Sequence, residues 1–340
     1  MRFFSRSCTA RQSKAFWPLL TLIFIGSALL SLCLGSTNLS LRELFSALGT
    51  PPADTFGNTA AGIFWHVRAP RTAAALLAGC ALAVSGAVIQ TVLDNPLAGP
   101  NIIGVNAGAG LGVLLCLALF PALPALSGAG AFAGAFGAAL LVFFVSRRVG
   151  ASRTTLILAG VAVNAILNAC IDGALTLFPD AVSGFTGFRI GGLHGVTFAD
   201  LFPAWIIVPL CLGILALSGA ELDVLALGDD TASSLGLRVK LWRIAFLALA
   251  CALAASAVSF AGLIGFVGLI VPHAMRRLFG SGSARLLPAC ALGGAALTAL
   301  CDVFARTVFR PFELPLGVIL ALLGGPFFLY LLTRRRRHHG

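Results

Sequence analysis

Charged residues are rare in this chain, and they separate long apolar stretches from one another. A helix that spans a bilayer needs roughly 20 consecutive, predominantly apolar residues. The spacing of the charges therefore predicts an all-α protein that crosses a membrane many times. The charge-free runs are residues 15–41, 72–93, 95–146, 154–171, 201–220, 244–275, 286–301 and 314–333.

Two of these runs are too long for one crossing. Pro121 and Pro124 indicate a turn within 95–146. Gly262, Gly265 and Gly268 indicate a break within 244–275. Dividing both runs gives ten predicted spans, near 15–34, 72–92, 101–119, 128–146, 154–174, 201–219, 242–261, 264–277, 287–305 and 315–333.

The composition agrees with this pattern. Of the 340 residues, 59% are hydrophobic and only 10% are charged, and the mean hydropathy is +0.99. An ordinary soluble domain is about a quarter charged. The large apolar surface of this chain therefore excludes a cytosolic enzyme. Disorder is excluded as well, because disordered chains have low hydrophobicity and many charges.

The basic residues predict the orientation. With both termini in the cytoplasm, 17 of the 23 Lys and Arg lie on the inner side, as the positive-inside rule requires. The prediction is one ten-helix membrane domain, 15–333, between a cytoplasmic tail, 1–14, and a basic cytoplasmic tail, 334–340. Six arginines are predicted outside: Arg42, Arg68, Arg71, Arg189, Arg306 and Arg310.

The sequence contains no recognisable catalytic motif. The only lysines are Lys14 and Lys240, and neither belongs to a GxxxxGK[ST] phosphate-binding loop. No HExxH or GxSxG sequence occurs, and the nine cysteines are scattered. We therefore expect a protein that is not an enzyme, without its own ATPase motif and without a cofactor or resident metal. Nothing in the sequence indicates a nucleic-acid partner.

Two arginines stand where the second span begins, on the side where basic residues are few. Arg68 and Arg71 are three positions apart and share a helix face. They either extend toward lipid phosphates or form a docking site for an acidic partner. Arg306 follows Asp302 by four positions, a spacing that allows an ion pair within one helix.

A cytoplasmic loop at 221–240 contains a short helix signal. Asp229 can cap a helix that Gly236 ends, and the loop has no catalytic residue, so it suits a protein contact. Elsewhere Gly104, Gly108 and Gly112 follow a four-residue spacing that favours close helix packing.

Three asparagines lie within apolar spans: Asn106, Asn164 and Asn168. A polar side chain at membrane depth must find a partner or face water. These residues either line a translocation pathway or form hydrogen bonds between helices, and the sequence leaves both interpretations open.

Five motifs in a fixed order relate the chain to a known family. They are Arg-x-Pro-Arg at 68–71, Asn-Pro-Leu-Ala-x-Pro at 95–100, Leu-Gly-x-x-x-Ala-x-x-Leu-Gly at 227–236, Gly-Phe-x-Gly-Leu-x-x-Pro-His at 265–273 and Glu-Leu-Pro-x-Gly-Val at 313–318. From about residue 20 to 333 the chain resembles FecCD or BtuC-like permeases, subunits of ABC importers for iron–siderophore complexes, haem and cobalamin. One departure is Arg189-Ile-Gly-Gly-Leu-His194, where Arg189 and Leu193 replace the family's usual Trp and Ser.

The resemblance implies partners and a location. It implies a multi-pass protein of the bacterial inner membrane, in contact with lipid. A second permease (a copy or a paralogue), two cytoplasmic ATP-binding subunits and a periplasmic substrate-binding protein complete the importer. The most common cargo in the family is a ferric siderophore. The alternative class is an ion-coupled secondary transporter of a small metal chelate, but the middles of most spans carry no ionisable group to bind a coupling ion.

The resemblance also implies site residues. Arginines at the positions of Arg68, Arg71 and Arg306 receive glutamates of the binding protein. The ATPase contact falls on the loop helix and its flanking glycines: Gly228, Asp229, Asp230, Thr231, Ser234, Leu235 and Gly236.

Overall fold

The structure, a computed structural model, describes residues 10–35, 40–50, 52, 58–123, 125–149 and 152–336. The predicted tails, 1–14 and 334–340, fall largely outside these residues, as does Pro124. Within the described ranges every regular element is helical and no strand is present. The prediction of an all-α chain is therefore confirmed for this part of the sequence.

Fifteen α-helices follow one another along the described residues. They are α1 Ala10–Cys33, α2 Leu41–Leu48, α3 Thr59–Ile63, α4 Ala69–Val92, α5 Val105–Leu119, α6 Leu126–Val149, α7 Arg153–Leu177, α8 Val182–Ile190, α9 Phe202–Leu217, α10 Gly219–Ala226, α11 Asp229–Ser234, α12 Val239–Ala261, α13 Val267–Phe279, α14 Ser283–Thr307 and α15 Leu316–Arg336. Single turns of 3₁₀-helix add Pro100–Ile103 and Pro179–Ala181.

Each of the ten predicted spans overlaps one of these helices. By length and composition, six helices of the described chain can cross a membrane, or seven if α9 and α10 form one span with a 64° bend. The ten-span count and the side of the termini therefore stay predictions. The turn between α5 and α6 and the break between α12 and α13 are where the prolines and glycines predict them.

Helix α4 begins at Ala69, close to the predicted start of the second span, but the helical path extends further toward the N-terminus than predicted. The helical path begins at Thr59 rather than near residue 72, and it passes through a π-helical turn, Phe64–Arg68, directly before Pro70. A proline inside an α-helix lacks an N–H donor and its ring clashes with a preceding carbonyl. The wider π-helical turn relieves this clash, so the chain can remain helical through Arg68.

Close backbone contacts hold α4 in the centre of the bundle. Helix α4 packs against α12, α13 and α14, and most of its residues are buried. A Cβ atom at Gly79 would lie 2.2 Å from the carbonyl oxygen of Gly294 in α14. A Cβ atom at Gly86 would lie 2.0 Å from that of Gly268 in α13. Glycine is therefore required for these helices to approach so closely.

Close contacts at glycines also join α5 to α6. A Cβ atom at Gly108 would lie 2.2 Å from the oxygen of Gly134, and one at Gly112 would lie 2.0 Å from the oxygen of Gly130. The predicted small-residue face of α5 is confirmed for Gly108 and Gly112, and α6 contributes glycines to the same contact. Gly104 lies before α5 with φ 86°, and a Cβ atom there would make only ordinary contacts.

Helices α2 and α8 are among the short helices that lie outside the long apolar runs and were missed from the sequence. Helix α2 begins with a capping box, in which Ser40 and Glu43 bond to each other's backbone N–H groups. Helix α8 follows α7 after one 3₁₀ turn. Both are shorter than ten residues, so a search for membrane-length apolar runs passes over them.

Candidate functional site

The first candidate site is a set of charged side chains around the N-terminal end of α4, here called the arginine cluster. Its members are Arg68, Arg71, Asp302, Arg306 and Glu313. Arg71 is the centre: its Nε lies 3.1 and 3.2 Å from the two carboxylate oxygens of Asp302, and its Nη1 lies 2.8 Å from Oε2 of Glu313. A planar guanidinium is suited to such paired contacts with carboxylates.

Arg306 binds the same carboxylate from within α14. Its Nε lies 3.2 Å from Oδ2 of Asp302, which confirms the ion pair predicted from the four-residue spacing. Its Nη2 donates to the carbonyl oxygen and the hydroxyl of Ser31 in α1, both at 2.8 Å. The Ser31 hydroxyl also lies 2.8 Å from that of Thr72. The cluster thus ties α1, α4 and α14 together.

The structure buries all three arginines that were predicted to dock a partner. The exposed fractions are 3% for Arg68, 7% for Arg71 and 1% for Arg306, and Asp302 is fully buried. Arg68 donates to the carbonyl oxygen of Leu34 at the end of α1. The three side chains share one end of the bundle as expected, but they bind groups of this chain. Their docking role stays a prediction.

Glu313 is the member of the cluster nearest to solvent, and it lies in the loop between α14 and α15. Burial raises the pKa of its carboxyl. The hydrogen bond and charge of Arg71, with smaller contributions from His194 and Arg306, lower the pKa and together outweigh the effect of burial. The net pKa lies below the usual value for glutamate. Sequence reasoning gave Glu313 no role, although it opens the Glu-Leu-Pro motif.

A cleft of about 380 Å³ opens beside the cluster. Arg71, His194 and Glu313 supply its polar lining. The remainder consists of Gly187, the loop 191–193 and residues 314–316. The stretch that departs from the family pattern therefore forms one wall of this cleft. Leu193, which replaces the usual serine, is buried, whereas Arg189 is exposed.

The second candidate site is a chain of ion pairs that we call the aspartate clamp. Its members are Asp94, Arg153, Asp229 and Arg243. Nη2 of Arg243 lies 2.5 Å from Oδ1 of Asp229, and Nη2 of Arg153 lies 3.4 Å from the same oxygen. Nη1 of Arg153 lies 2.9 Å from Oδ2 of Asp94. The clamp connects α11 and α12 with the start of α7 and the loop after α4.

The loop helix α11 starts differently from the sequence prediction. Asp229 is not the capping residue: Gly228 occupies that position with φ 105° and ψ 160°, a backbone conformation suited to glycine. The Asp229 carboxylate does not cap the helix, and it binds Arg243 instead. Gly236 follows the helix with φ 84°, so the predicted glycine stop is confirmed.

Most of α11 faces away from the bundle. Ala232 is buried, whereas Leu235 after its end is 63% exposed. The remaining predicted contact residues, Asp230, Thr231, Ser234 and Gly236, are also exposed. The segment 228–236 therefore presents a surface with one large apolar side chain, held to the bundle at Ala232 and Asp229.

The two sites lie at opposite ends of α4. Arg71 is in its first turn, and Asp94 lies two residues after its last residue, Val92. At 1.5 Å per residue, a helix of 24 residues is about 36 Å long, close to the thickness of a bilayer with its interfaces. The residues of the arginine cluster were all predicted outside, and those of the aspartate clamp were all predicted at the inner side.

The three asparagines do not share one environment. Asn164 is half-buried, and its Nδ2 donates to the carbonyl oxygen of Asn101 at 2.9 Å. Asn106 is half-buried as well, whereas Asn168 is exposed on α7. Within the described residues, no group of three His, Cys, Asp or Glu is placed to hold a metal ion.

A bundle of apolar helices that carries its ionic clusters at the two ends defines a polytopic helical membrane protein. The chain belongs to the FecCD transport family, whose family model matches residues 21–334. It is a multi-pass protein of the bacterial inner membrane. The family resemblance stated from the five motifs is thereby confirmed.

Three relatives match over nearly their whole lengths. The haemin transport system permease protein HmuU of Yersinia pestis is 38% identical, covering 94% of this chain and 97% of the relative. The vitamin B12 import system permease protein BtuC of Shigella boydii is 37% identical, covering 96% and 97%. The Fe(3+)-citrate import system permease protein YfmE of Bacillus subtilis is 33% identical, covering 97% and 98%.

Solved structures show the same fold. A transporter described as of the metal-chelate ABC type, in an inward-facing conformation, superposes with a TM-score of 0.81 at 29% identity, covering 94% of this chain and 99% of that one. PsaBC from Streptococcus pneumoniae superposes with a TM-score of 0.57 at 19% identity, covering 79% of this chain and 92% of that one, which supports the fold alone.

Proposed function

We propose that this chain is the permease subunit of an ABC importer that carries a metal chelate into the cytoplasm, with a ferric siderophore as the cargo. The observation that carries the proposal is the match along the full chain to permeases named for haemin, vitamin B12 and ferric citrate. All three cargos are metal complexes with an organic ligand. Because the three identities are similar, they favour the class of cargo rather than one member of it.

The proposed topology has ten spans with both termini in the cytoplasm. It is supported by the separation of charges along the fold, because residues predicted outside meet in the arginine cluster and residues predicted inside meet in the aspartate clamp. Two such polar ends about one bilayer apart suit a membrane domain.

ATP is hydrolysed in this proposal by two partner subunits, since the chain has no phosphate-binding loop. The contact with them is the segment 228–236. Its exposed Leu235 and its fixed position between Gly228 and Gly236 support this assignment. Movement of an ATPase against α11 then changes the arrangement of the membrane helices as rigid bodies.

The periplasmic binding protein docks in this proposal at the end that holds the arginine cluster. The guanidinium groups of Arg68, Arg71 and Arg306 are engaged within the free chain. A docking glutamate would therefore have to displace one of these internal partners. The open cleft beside Arg71 and Glu313 offers the approach for such an exchange.

A second permease, a copy or a paralogue, completes the translocation pathway. The exposed Asn168 on α7 supports a pathway or an interface on that face, because an amide at membrane depth avoids lipid. Asn164, which bonds to Asn101, contributes to packing between helices as well. Asn106 belongs to the pathway in this proposal.

The test is uptake by proteoliposomes that contain the whole importer with its binding protein. We expect uptake of a ferric siderophore that requires ATP inside and continues when an ionophore dissipates the ion gradients. A matched preparation with a hydrolysis-deficient ATPase subunit should show none. Uptake that persists without ATP and stops with the ionophore would establish the ion-coupled alternative. Uptake of haem and of cobalamin, measured in the same assay, identifies which chelate is transported.

A further inference from the structure

The short helix α11 is bounded by two residues with left-handed φ angles, Gly228 at 105° and Gly236 at 84°. Six residues are too few for a helix to be stable by itself. Among its residues only Ala232 is buried against the bundle. A partner that pushes on such a segment would turn it about its two ends unless another contact fixes it.

The ion pair between Asp229 and Arg243 provides that contact. Arg243 belongs to α12 and is only 3% exposed, whereas the Asp229 side chain is 47% exposed. A cation within a membrane helix is stable only when it has a counter-charge or polar partners. Asp229 supplies a carboxylate to Arg243 from the first residue of α11, so the position of α11 is tied to that of α12.

A second arm of the aspartate clamp reaches α7. Arg153 is the first residue of α7, and it lies between the carboxylates of Asp229 and Asp94. Asp94 has φ 50°, a conformation that aspartate tolerates better than most residues. Its carboxylate is 70% exposed, so the ion pair between Asp94 and Arg153 is weaker than the pair between Asp229 and the buried Arg243.

We propose that Asp229 is the positioning residue that makes α11 a rigid lever, by fixing its first turn to α12 through Arg243 and to α7 through Arg153. This inference rests on the proposed function, and it adds the residues that transmit the movement. A displacement of α11 is delivered to two membrane helices at once. One of them, α7, carries the exposed Asn168. The exposed residues of 228–236 then serve for contact, while the clamp serves for transmission.

The functional test measures cargo transported per ATP hydrolysed in proteoliposomes that contain the whole importer. Asp229→Asn keeps the shape of the side chain and removes its charge. We expect hydrolysis to continue while the transport ratio falls roughly fivefold or more, the lower end of measured coupling between sites. Arg153→Gln should lower the ratio less. Arg147→Gln, which removes an exposed charge from α6 at the same end, should leave it unchanged.

Charge reversal separates transmission from simple loss of structure. Asp229→Arg and Arg243→Asp should each uncouple transport, and the double variant should recover part of the ratio. If variants of the buried Arg243 do not fold, the comparison of Asp229→Asn with Arg153→Gln still tests whether the clamp transmits the movement. A normal ratio in a stable Asp229→Asn importer would overturn the proposal.

A measurement on the permease alone keeps this test separate from that of the proposed function. Hydrogen–deuterium exchange of the amides in 229–234 should speed up in Asp229→Asn and stay unchanged in Arg147→Gln. Unchanged exchange in Asp229→Asn would overturn the clamp even if uptake is driven by ATP. Faster exchange in a protein without ATP-driven uptake would retain the clamp and reject the proposed function.

Discussion

Arg71 and Asp302 form a two-pronged ion pair although 231 positions separate them in the chain. The pair joins the first turn of α4 to the C-terminal part of α14, two helices whose backbones touch further along at Gly79 and Gly294. Ionic and steric contacts thus hold the same pair of helices in one arrangement. Predictions on stability follow from both kinds of contact.

Replacement of Asp302 by asparagine should destabilise the protein strongly. The change leaves Arg71 and Arg306 buried beside an uncharged side chain, and breaking a buried ion pair costs about 3–5 kcal/mol. Thermal unfolding of the purified chain in detergent should show a large decrease in Tm. Asp180→Asn, at an exposed position, is the control. Equal Tm values for the two variants would contradict this account of the cluster.

Replacement of Gly79 by alanine should destabilise by about 1–3 kcal/mol, because its Cβ atom would meet the carbonyl oxygen of Gly294 at 2.2 Å. Backbone atoms of a packed helix cannot turn away as a side chain can. The matched control is Gly137→Ala in α6, where nothing lies within 4 Å of a Cβ atom. That control should be neutral or stabilising by up to about 1 kcal/mol. Chemical denaturation of both variants gives the comparison.

The stability of the arginine cluster should decrease at low pH through Glu313. Its pKa in the folded protein lies below the unfolded value, which is about 4.3. Its contribution is therefore complete above the unfolded pKa and is lost as the pH falls through the folded pKa. Tm measured between about pH 3 and 6 should fall more for the wild type than for Glu313→Gln. Parallel curves would show that Arg71 does not stabilise the charged carboxyl.

Replacement of Arg68 by glutamine should weaken docking of the periplasmic binding protein if the cluster forms the docking site. The readout is Kd for the binding protein, compared with Tm of the permease. A docking role predicts a weaker Kd that depends on salt, because charge attraction is screened. A purely internal role, through the carbonyl of Leu34, predicts a lower Tm with Kd unchanged. Arg42→Gln, at an exposed position of α2, should alter neither.

Replacement of Gly228 by valine should uncouple ATP hydrolysis from transport. A β-branched residue is strongly disfavoured at φ 105°, so the first turn of α11 would have to shift. Open space surrounds the glycine, so the effect would come from the backbone and not from a clash. Gly213→Val in α9, also in open space, is the control. Coupled transport in the Gly228 variant would contradict the role assigned to this segment.

The positions of the helices could be predicted from the sequence because a bilayer imposes its own length on apolar runs. Prolines and glycines marked the turn before α6 and the break before α13 for local backbone reasons. The family and the segment 228–236 were also evident, since each motif is continuous in the chain. Helices α2 and α8 were missed because they are short. The π-helical turn before Pro70 was missed because its apolar residues lie in a charge-free stretch, bounded by Asp54 and Arg68, that is too short for a span.

What the sequence alone determined is therefore the class of protein, the order of its long helices and the grouping of the charges of each cluster at one end of the bundle. Only the tertiary structure decided which charges meet. Asp229 was expected to cap α11, but it binds Arg243, and Arg68, Arg71 and Arg306 are buried among partners of this chain. Burial depends on which helices pack together. An arginine at the end of an apolar run has the same local sequence pattern whether its binding partner is a lipid, another protein or a carboxylate 231 positions away.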